Sequence, residues 1–270
     1  MTNEQYYLQY SKWRDAYDIK AFRIFRKALN QSFASMPIDN ITFENYKIII
    51  KLNIQQLPIQ LAYFEVYRTI GLTHGKRVGN GINREIKRFN NDLFSREFLD
   101  SIVEWVRGNV ASRIVSVSDT MAKRIERLVE VSIEQGFSVL EMQKYLTKTL
   151  GSPSFTKFQA LRISRTEVTT ATNHAANEAG VNAGIVLEKL WISAIDGRTR
   201  RKPRDQFDHF HMDGQTVGQF EKFVLRSKNG VVDNIDYPGD PKGSAADTIQ
   251  CRCVHAFRPI RDEQGFVVVR

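Results

Sequence analysis

The chain has 270 residues, 42% hydrophobic and 26% charged, with 39 Lys/Arg against 30 Asp/Glu and a net charge of +9. This balance fits a soluble globular chain that buries a core in one large or two modest domains. No apolar run approaches the roughly 20 residues of a membrane span, and Met1–Gln5 lacks the basic and apolar regions of a secretory signal. Two cysteines one residue apart make a poor disulfide framework, so a cytosolic chain with reduced thiols is expected. Residues 1–150 carry 22 cations against 16 anions and residues 151–270 carry 17 against 14, so the excess is spread along the chain. Its one local concentration is Arg198, Arg200, Arg201, Lys202 and Arg204. This cluster is able to neutralise the phosphates of double-stranded DNA, or to be a solvated loop.

The first 150 residues read as helical. Tyr6 to Phe33 carries Tyr6, Tyr10, Trp13, Tyr17, Phe22, Phe25 and Leu29 at near-helical spacing. Met36 to Asn40 breaks the pattern, and a second helical stretch runs from Thr42 through Leu52 and Leu57, with Pro58 expected to kink or split it. Gly71 to Gly81 holds four glycines and reads as a flexible connection. Helices follow near Arg84–Phe94 and Ser95–Val117. A further one runs from Thr120 to Gln135, capped by Ser118-Asp119, and the next opens on a capping box of Ser138 and Glu141 after Gly136. Gly151 to Ser154 is the best boundary, dividing a helical region 1–150 from a domain 155–270.

A long helix from about Lys157 to Ala179 opens that domain. Its polar residues Glu167, Thr170, His174 and Asn177 fall three or four apart. Thr and Asn are mediocre helix formers, so their density suggests a face that meets another polar surface, most simply the loops that follow. Strands are expected at Val186–Ile195, Val254–Phe257 and Phe266–Val269, within loops rich in Gly, Asp and Pro. The fold class is α+β: a mostly helical N-terminal region, a long helix, and a small loop-rich β unit.

Four of the five histidines and both cysteines lie in the last hundred residues. Asp196, His209, Cys251 and Cys253 form a candidate N/O/S ligand set for zinc. The one-residue spacing of His209-x-His211 and of Cys251-x-Cys253 is unlike the two-to-four spacing of regular zinc motifs, so one ligand from each pair is the safer expectation. The alternative is a histidine bonded to loop carbonyls beside buried thiols. Asp196 at a strand end is either a ligand, a general base, or an ion-pair partner that orders its turn. Asp208-His209 is similar to the opening of a ββα-metal nuclease motif. That chemistry needs a second histidine or asparagine on a helix about 20–30 residues later, and Gly230 and Pro238 argue against a helix there.

Taken in order, these elements resemble the phage Mu F-like family of minor head proteins, the head morphogenesis proteins. They are Arg165-Thr166-Glu167 with Asn173 on a helix, Trp191, the Asp196-x-Arg198-x-Arg200 turn, His209 ahead of Asp213-Gly214, the Tyr237-Pro-Gly-Asp-Pro loop, and Cys251-Arg252-Cys253. The likeness covers roughly residues 155–260. It departs from the family in the longer, more basic stretch between Arg200 and His209, in the extra His211, and in Gln250, where asparagine is common. The resemblance implies a virion component rather than an enzyme: an internal head protein, assembled in the host cytoplasm, associated with the portal protein and capsid interior and with packaged DNA, and not with a membrane. In some relatives the domain is fused to toxin modules, and Arg270 so soon after the last motif reads as leaving none here. A structural clasp of Arg165, Glu167, Asn173, Trp191, Asp196, His209, Asp213 and Arg252 would tie the loops to the helix. The aromatics Tyr6, Tyr7, Trp13 and Tyr17 offer a docking surface, unless they fill the core. The competing reading is a metal-dependent nuclease or hydrolase built on the C-terminal His/Asp/Cys cluster.

Overall fold

The computed structural model describes residues 2–86 and 96–270, with the backbone alone for residues 96–99. The architecture is α+β, and the chain folds into two compact units. Unit 1 comprises Met1–Ala21, Val66–Trp105 and Ile163–Arg270, and unit 2 comprises Phe22–Glu65 and Val106–Arg162. Among the described residues, no helix is long and apolar enough to cross a membrane.

Helix α1 (Asn3–Ser32) contributes its last part, from Phe22, to unit 2, joined there by α2 (Tyr46–Asn53), α3 (Leu57–Val66), α6 (Ala111–Glu134) and α7 (Val139–Leu150). Pro58 falls at the second position of α3, where its missing N–H leaves no bond unmade, and the helical stretch splits ahead of it. Phe25 meets Tyr63 edge to face with centroids 5.1 Å apart, and Phe33 meets Phe155 at 5.6 Å. The expected start at Thr120 is not observed. Helix α6 runs unbroken from Ala111, because Ile114, Val117, Met121, Ile125 and Val129 continue one buried stripe. Ser118, read as a cap, is buried inside the helix and donates to the Ile114 carbonyl at 2.9 Å. The capping box at Ser138 and Glu141 is present, with Gly136 at φ 72° closing the preceding turn.

In unit 1, the glycine-rich stretch is helical rather than flexible. A π-turn at Tyr67–Gly71 leads into α4 (Leu72–Glu85). Gly71 is needed for close approach: a Cβ there would sit 3.3 Å from the Ala171 carbonyl oxygen. The remainder of the helix expected at Arg84–Phe94 lies outside the described residues, and the expected Ser95–Val117 helix divides at Val110 into α5 (Arg96–Asn109) and α6. The aromatics offered for docking face inward. Tyr17 is buried, and Tyr6 and Tyr7 pack against a cluster of Tyr10, Leu190, Ile192, Val254 and Ala256. Trp13 lies under the Arg77 guanidinium.

Helix α8 (Lys157–Val181) is followed by β1 (Leu187–Ile192), β2 (Thr216–Gly218), β3 (Phe223–Arg226), β4 (Val232–Ile235), a single helical turn α9 (Ala245–Thr248) and β5 (Val254–Pro259). One antiparallel sheet has the order β2-β1-β5, and β3 and β4 form a separate hairpin. Strands β2 to β4 were not expected. They are three or four residues long, though Phe223 and Leu225 alternate with exposed Val224 and Arg226 in the period of a half-buried strand. The stretch expected as a strand at Phe266–Val269 makes only isolated bridges, Ile185 to Val269 and Arg261 to Val267.

Candidate metal centre

Within unit 1, α8 is buried on almost every side from Ile163 onward, and its small polar side chains hold the C-terminal loops. Thr169 donates to the Cys251 carbonyl at 2.6 Å, Thr170 to the Gly239 carbonyl at 2.8 Å, and Thr166 accepts from the Gln250 amide at 3.0 Å. Asn173 donates to the carbonyls of Pro238 (2.9 Å) and Cys253 (3.0 Å) and accepts from His255. Gly239, at φ 79°, lets the Tyr-Pro-Gly-Asp-Pro loop come close, since a Cβ there would meet the Thr169 methyl at 3.2 Å. These bonds join segments 65 to 84 residues apart in sequence. They turn loop backbone that would otherwise be buried unsatisfied into an ordered wall.

That wall presents Cys251 and Cys253 to one point. The segment leads into β5, and burial alternates with Arg252 half-buried between two buried thiols, so both sulfurs face the same side. One cysteine of the pair was the expectation, and both sulfurs lie within reach of one point. His209 comes from the loop after Arg200. Its amide donates to the Arg200 carbonyl at 3.0 Å and its own carbonyl accepts from the Ser193 hydroxyl. Nδ1 of His209 lies 3.5 Å from the Cys251 sulfur and 3.6 Å from that of Cys253. His209, Cys251 and Cys253 form a group able to hold a metal ion, their ligand atoms all within 4.8 Å of one another. On the far side of the ring, Nε2 is 2.5 Å from Oδ1 of Asp247.

The group is enclosed. Trp191, Phe207, Met212, Phe223, Leu225 and Ile235 form one apolar cluster with the two cysteines, and Trp191 meets the His209 ring edge to face at 5.5 Å. Burial works against a charge on His209, but the Cys251 sulfur and the Asp247 carboxylate outweigh it and raise its pKa to about 9. The hydrogen bond to Cys253, together with burial, drives the Cys251 thiol up. Burial pushes Cys253 the same way, but the Cys251, Ser193, Ala194 and Trp191 donors more than offset it and bring it down. Cys251, His209 and Asp247 also stand in the order of a nucleophile, a base and an orienting acid, yet each is 1% exposed and the thiol is closed off from any substrate in this conformation.

Asp196 does not belong to this group. It makes a two-pronged ion pair with Arg252 and accepts the amides of Arg198 (2.9 Å) and Thr199 (3.0 Å), closing its own turn. The Arg252 guanidinium holds its carboxyl well below the usual range. Asp213 accepts the Ser193 amide at 2.7 Å, and the Trp191 carbonyl accepts the Gly214 amide, which ties the Asp213-Gly214 turn to β1. Glu167 accepts from the Tyr67 hydroxyl at 2.8 Å, and the charge of Arg165 acts on Asp18. His211 is exposed and bonds Asp208 at 2.8 Å. Several cations of the basic loop are engaged by other groups of unit 1. Arg200 binds the Ile249 carbonyl, Arg201 stacks on Phe210 at 3.8 Å, and Arg204 reaches Asp205 and the carbonyls of Gly197 and Thr199. Arg198 and Lys202 are exposed. The carboxylate absent from the sequence reasoning is Asp247. It lies 38 residues from His209 on a single helical turn, in a Ser-Ala-Ala-Asp string with no ligand-like spacing.

No family model matches the chain, and no solved structure matches it. It is similar to the uncharacterized protein YqbB of Bacillus subtilis (strain 168), 28% identical over 140 residues, 52% of this chain and 42% of that protein. It is also similar to the NAD(+)--arginine ADP-ribosyltransferase EFV of Enterococcus faecalis (strain ATCC 700802 / V583), 22% identical over 258 residues, 87% of this chain and 50% of that protein. The second match overturns the expectation of a chain without enzymatic activity: the protein aligned with nearly all of it is named for a group-transfer reaction. The chain spans about half the length of the curated relatives it matches.

Proposed function

We propose that this chain is a head-assembly protein of a tailed bacteriophage, lying inside the virion against the portal and packaged DNA, with unit 1 locked around a zinc ion. The observation that carries the reading is the convergence of the ordered motif. Asn173 and the threonines of α8, Trp191, His209, Asp213, the Pro238–Gly239 loop and Cys251–Cys253, joined by bonds spanning up to 84 residues, meet as one clasp. The departure at Gln250 supports the same reading. Its φ is 57°, the left-handed region that asparagine enters far more readily, and asparagine is the residue the family resemblance has there. Two thiols and an imidazole are the donor set of zinc among common cellular ions.

Co-expression with a phage portal protein tests the assignment. A complex that survives size exclusion, and the chain's presence in purified particles by mass spectrometry, is the expected result. A chain absent from particles and indifferent to the portal refutes it. A second reading comes from the Enterococcus similarity: transfer of ADP-ribose from NAD+ to arginine. Incubation with labelled NAD+ and an arginine-rich acceptor decides that one, and no label above a heat-treated control removes it.

A further inference from the structure

We infer that Asp247 is the positioning residue of the metal centre. It holds the proton of His209 on Nε2, so that Nδ1 is the nitrogen that binds the ion beside the two thiolates. The inference rests on the zinc reading above. A metal takes the imidazole in its neutral form, with one proton; a carboxylate against Nε2 keeps that proton there and leaves the Nδ1 lone pair for the ion. Nδ1 faces two sulfurs at nearly equal distance, 3.5 Å and 3.6 Å.

Without an ion, the Nδ1–H of the protonated ring donates toward both sulfurs, and metal binding displaces that proton. A shared tetrahedral ion fits the same spacing, since zinc bonds of about 2.3 Å to sulfur and about 2.0 Å to nitrogen separate the two donors by about 3.5 Å. Ser193, whose hydroxyl is 3.7 Å from the Cys253 sulfur, is already engaged: it donates to the His209 carbonyl and accepts from Trp191 Nε1 at 3.0 Å. The protein thus offers three ligands among its described residues.

Asp247 has the character of a residue kept for this contact. Its side chain is 1% exposed, and its second oxygen, Oδ2, is buried with no hydrogen-bond partner. An unpartnered carboxylate oxygen in the interior is costly, and the His209 contact through Oδ1 offsets it. The carboxylate is set in place from β4, where Asp233 accepts the amide (2.9 Å) and hydroxyl (2.8 Å) of Ser244 at the start of α9.

The test uses the full chain, with zinc counted after purification and affinity measured by chelator competition. The wild type is expected to hold about one zinc. Loss of such an outer carboxylate weakens metal binding by about 10–100-fold, so Asp247→Ala is expected to lie in that range and the near-isosteric Asp247→Asn at about tenfold, with unchanged far-ultraviolet circular dichroism. Cobalt substitution gives a second readout: sulfur-to-cobalt absorption for two thiolates persists in both variants and halves in Cys251→Ser, while the ligand-field band shifts on losing Asp247. A wild type that takes up neither zinc nor cobalt overturns the zinc reading itself. A wild type that binds, with Asp247→Asn matching it in affinity and ligand-field band, overturns the role of Asp247 alone. That comparison decides even where Asp247→Ala fails to fold.

Discussion

Replacing Asn173 by alanine should unfasten unit 1. The side chain is fully buried and makes four bonds: to the carbonyls of Pro238 at 2.9 Å and Cys253 at 3.0 Å, and from the amide and Nδ1 of His255 at 3.2 Å and 3.1 Å. Alanine restores none of them, and two carbonyls and an amide are left in a closed interior. Each buried group without a partner costs about 1–3 kcal/mol. Allowing for local relaxation, the expected loss is about 3–5 kcal/mol, a large share of the roughly 5–15 kcal/mol that holds a domain. Urea unfolding followed by tryptophan fluorescence is the assay, because Trp13, Trp105 and Trp191 are the chain's three tryptophans and all belong to unit 1. Asn182→Ala is the control. That residue is exposed and its side chain bonds only the Glu178 carbonyl, so its loss should stay within about 0.5 kcal/mol. A loss below about 1 kcal/mol for Asn173→Ala would refute the view that α8 fastens the loops.

Burial depresses His74 and His174 to a pKa of about 3, with Arg77 and Lys242 adding to the effect. The unfolded chain takes up these protons below about pH 6.5 while the folded chain does not, so stability present above that pH is lost as the pH falls toward 3. The slope is about 1.4 kcal/mol per pH unit for each ring, or about 4 kcal/mol for the pair between pH 6.5 and 5. In the aromatic box of Tyr10, Trp13 and Tyr17, His74→Phe should remove about half of that dependence, and an unchanged pH profile in the variant contradicts the assignment. Gly180→Ala should cost about 1–3 kcal/mol by overpacking, since its Cβ would meet the Phe257 ring at 2.3 Å; a neutral result in thermal melts means the ring is free to move aside. Gln250→Asn should gain about 0.5–1 kcal/mol by relieving the left-handed backbone at φ 57°, and a lower melting temperature argues against strain there.

What could be read in advance follows physical range. Helix α8 was visible because threonine and asparagine are dense where a solvated face would carry lysine and glutamate, and the Ser138–Glu141 box because a cap is a four-residue signal. The strands β1 and β5 have apolar runs long enough to show. Gly71 was misread because glycine serves close helix packing as well as flexibility, and only the position of Ala171 distinguishes the two. Asp196 at a strand end left ligand, general base and ion-pair partner open, and only the position of Arg252, 56 residues away, which takes both its oxygens, selects the ion pair. Asp247 acquires its role only when β4 sets the turn beneath His209, and no local pattern encodes that.

The sheet of unit 1 also governs when this protein finishes folding on the ribosome. Strand β5 pairs with β1 from Leu187 to Ile192, and Val254 and Ala256 complete the cluster around Tyr10 of the first helix. Two of Tyr10's neighbours, Val254 and Ala256, therefore exist only after the synthesis of more than two hundred further residues. A nascent chain stalled before Val254 lacks the β5 side of that cluster, leaving this one side of Tyr10 open to chaperones or to assembly partners.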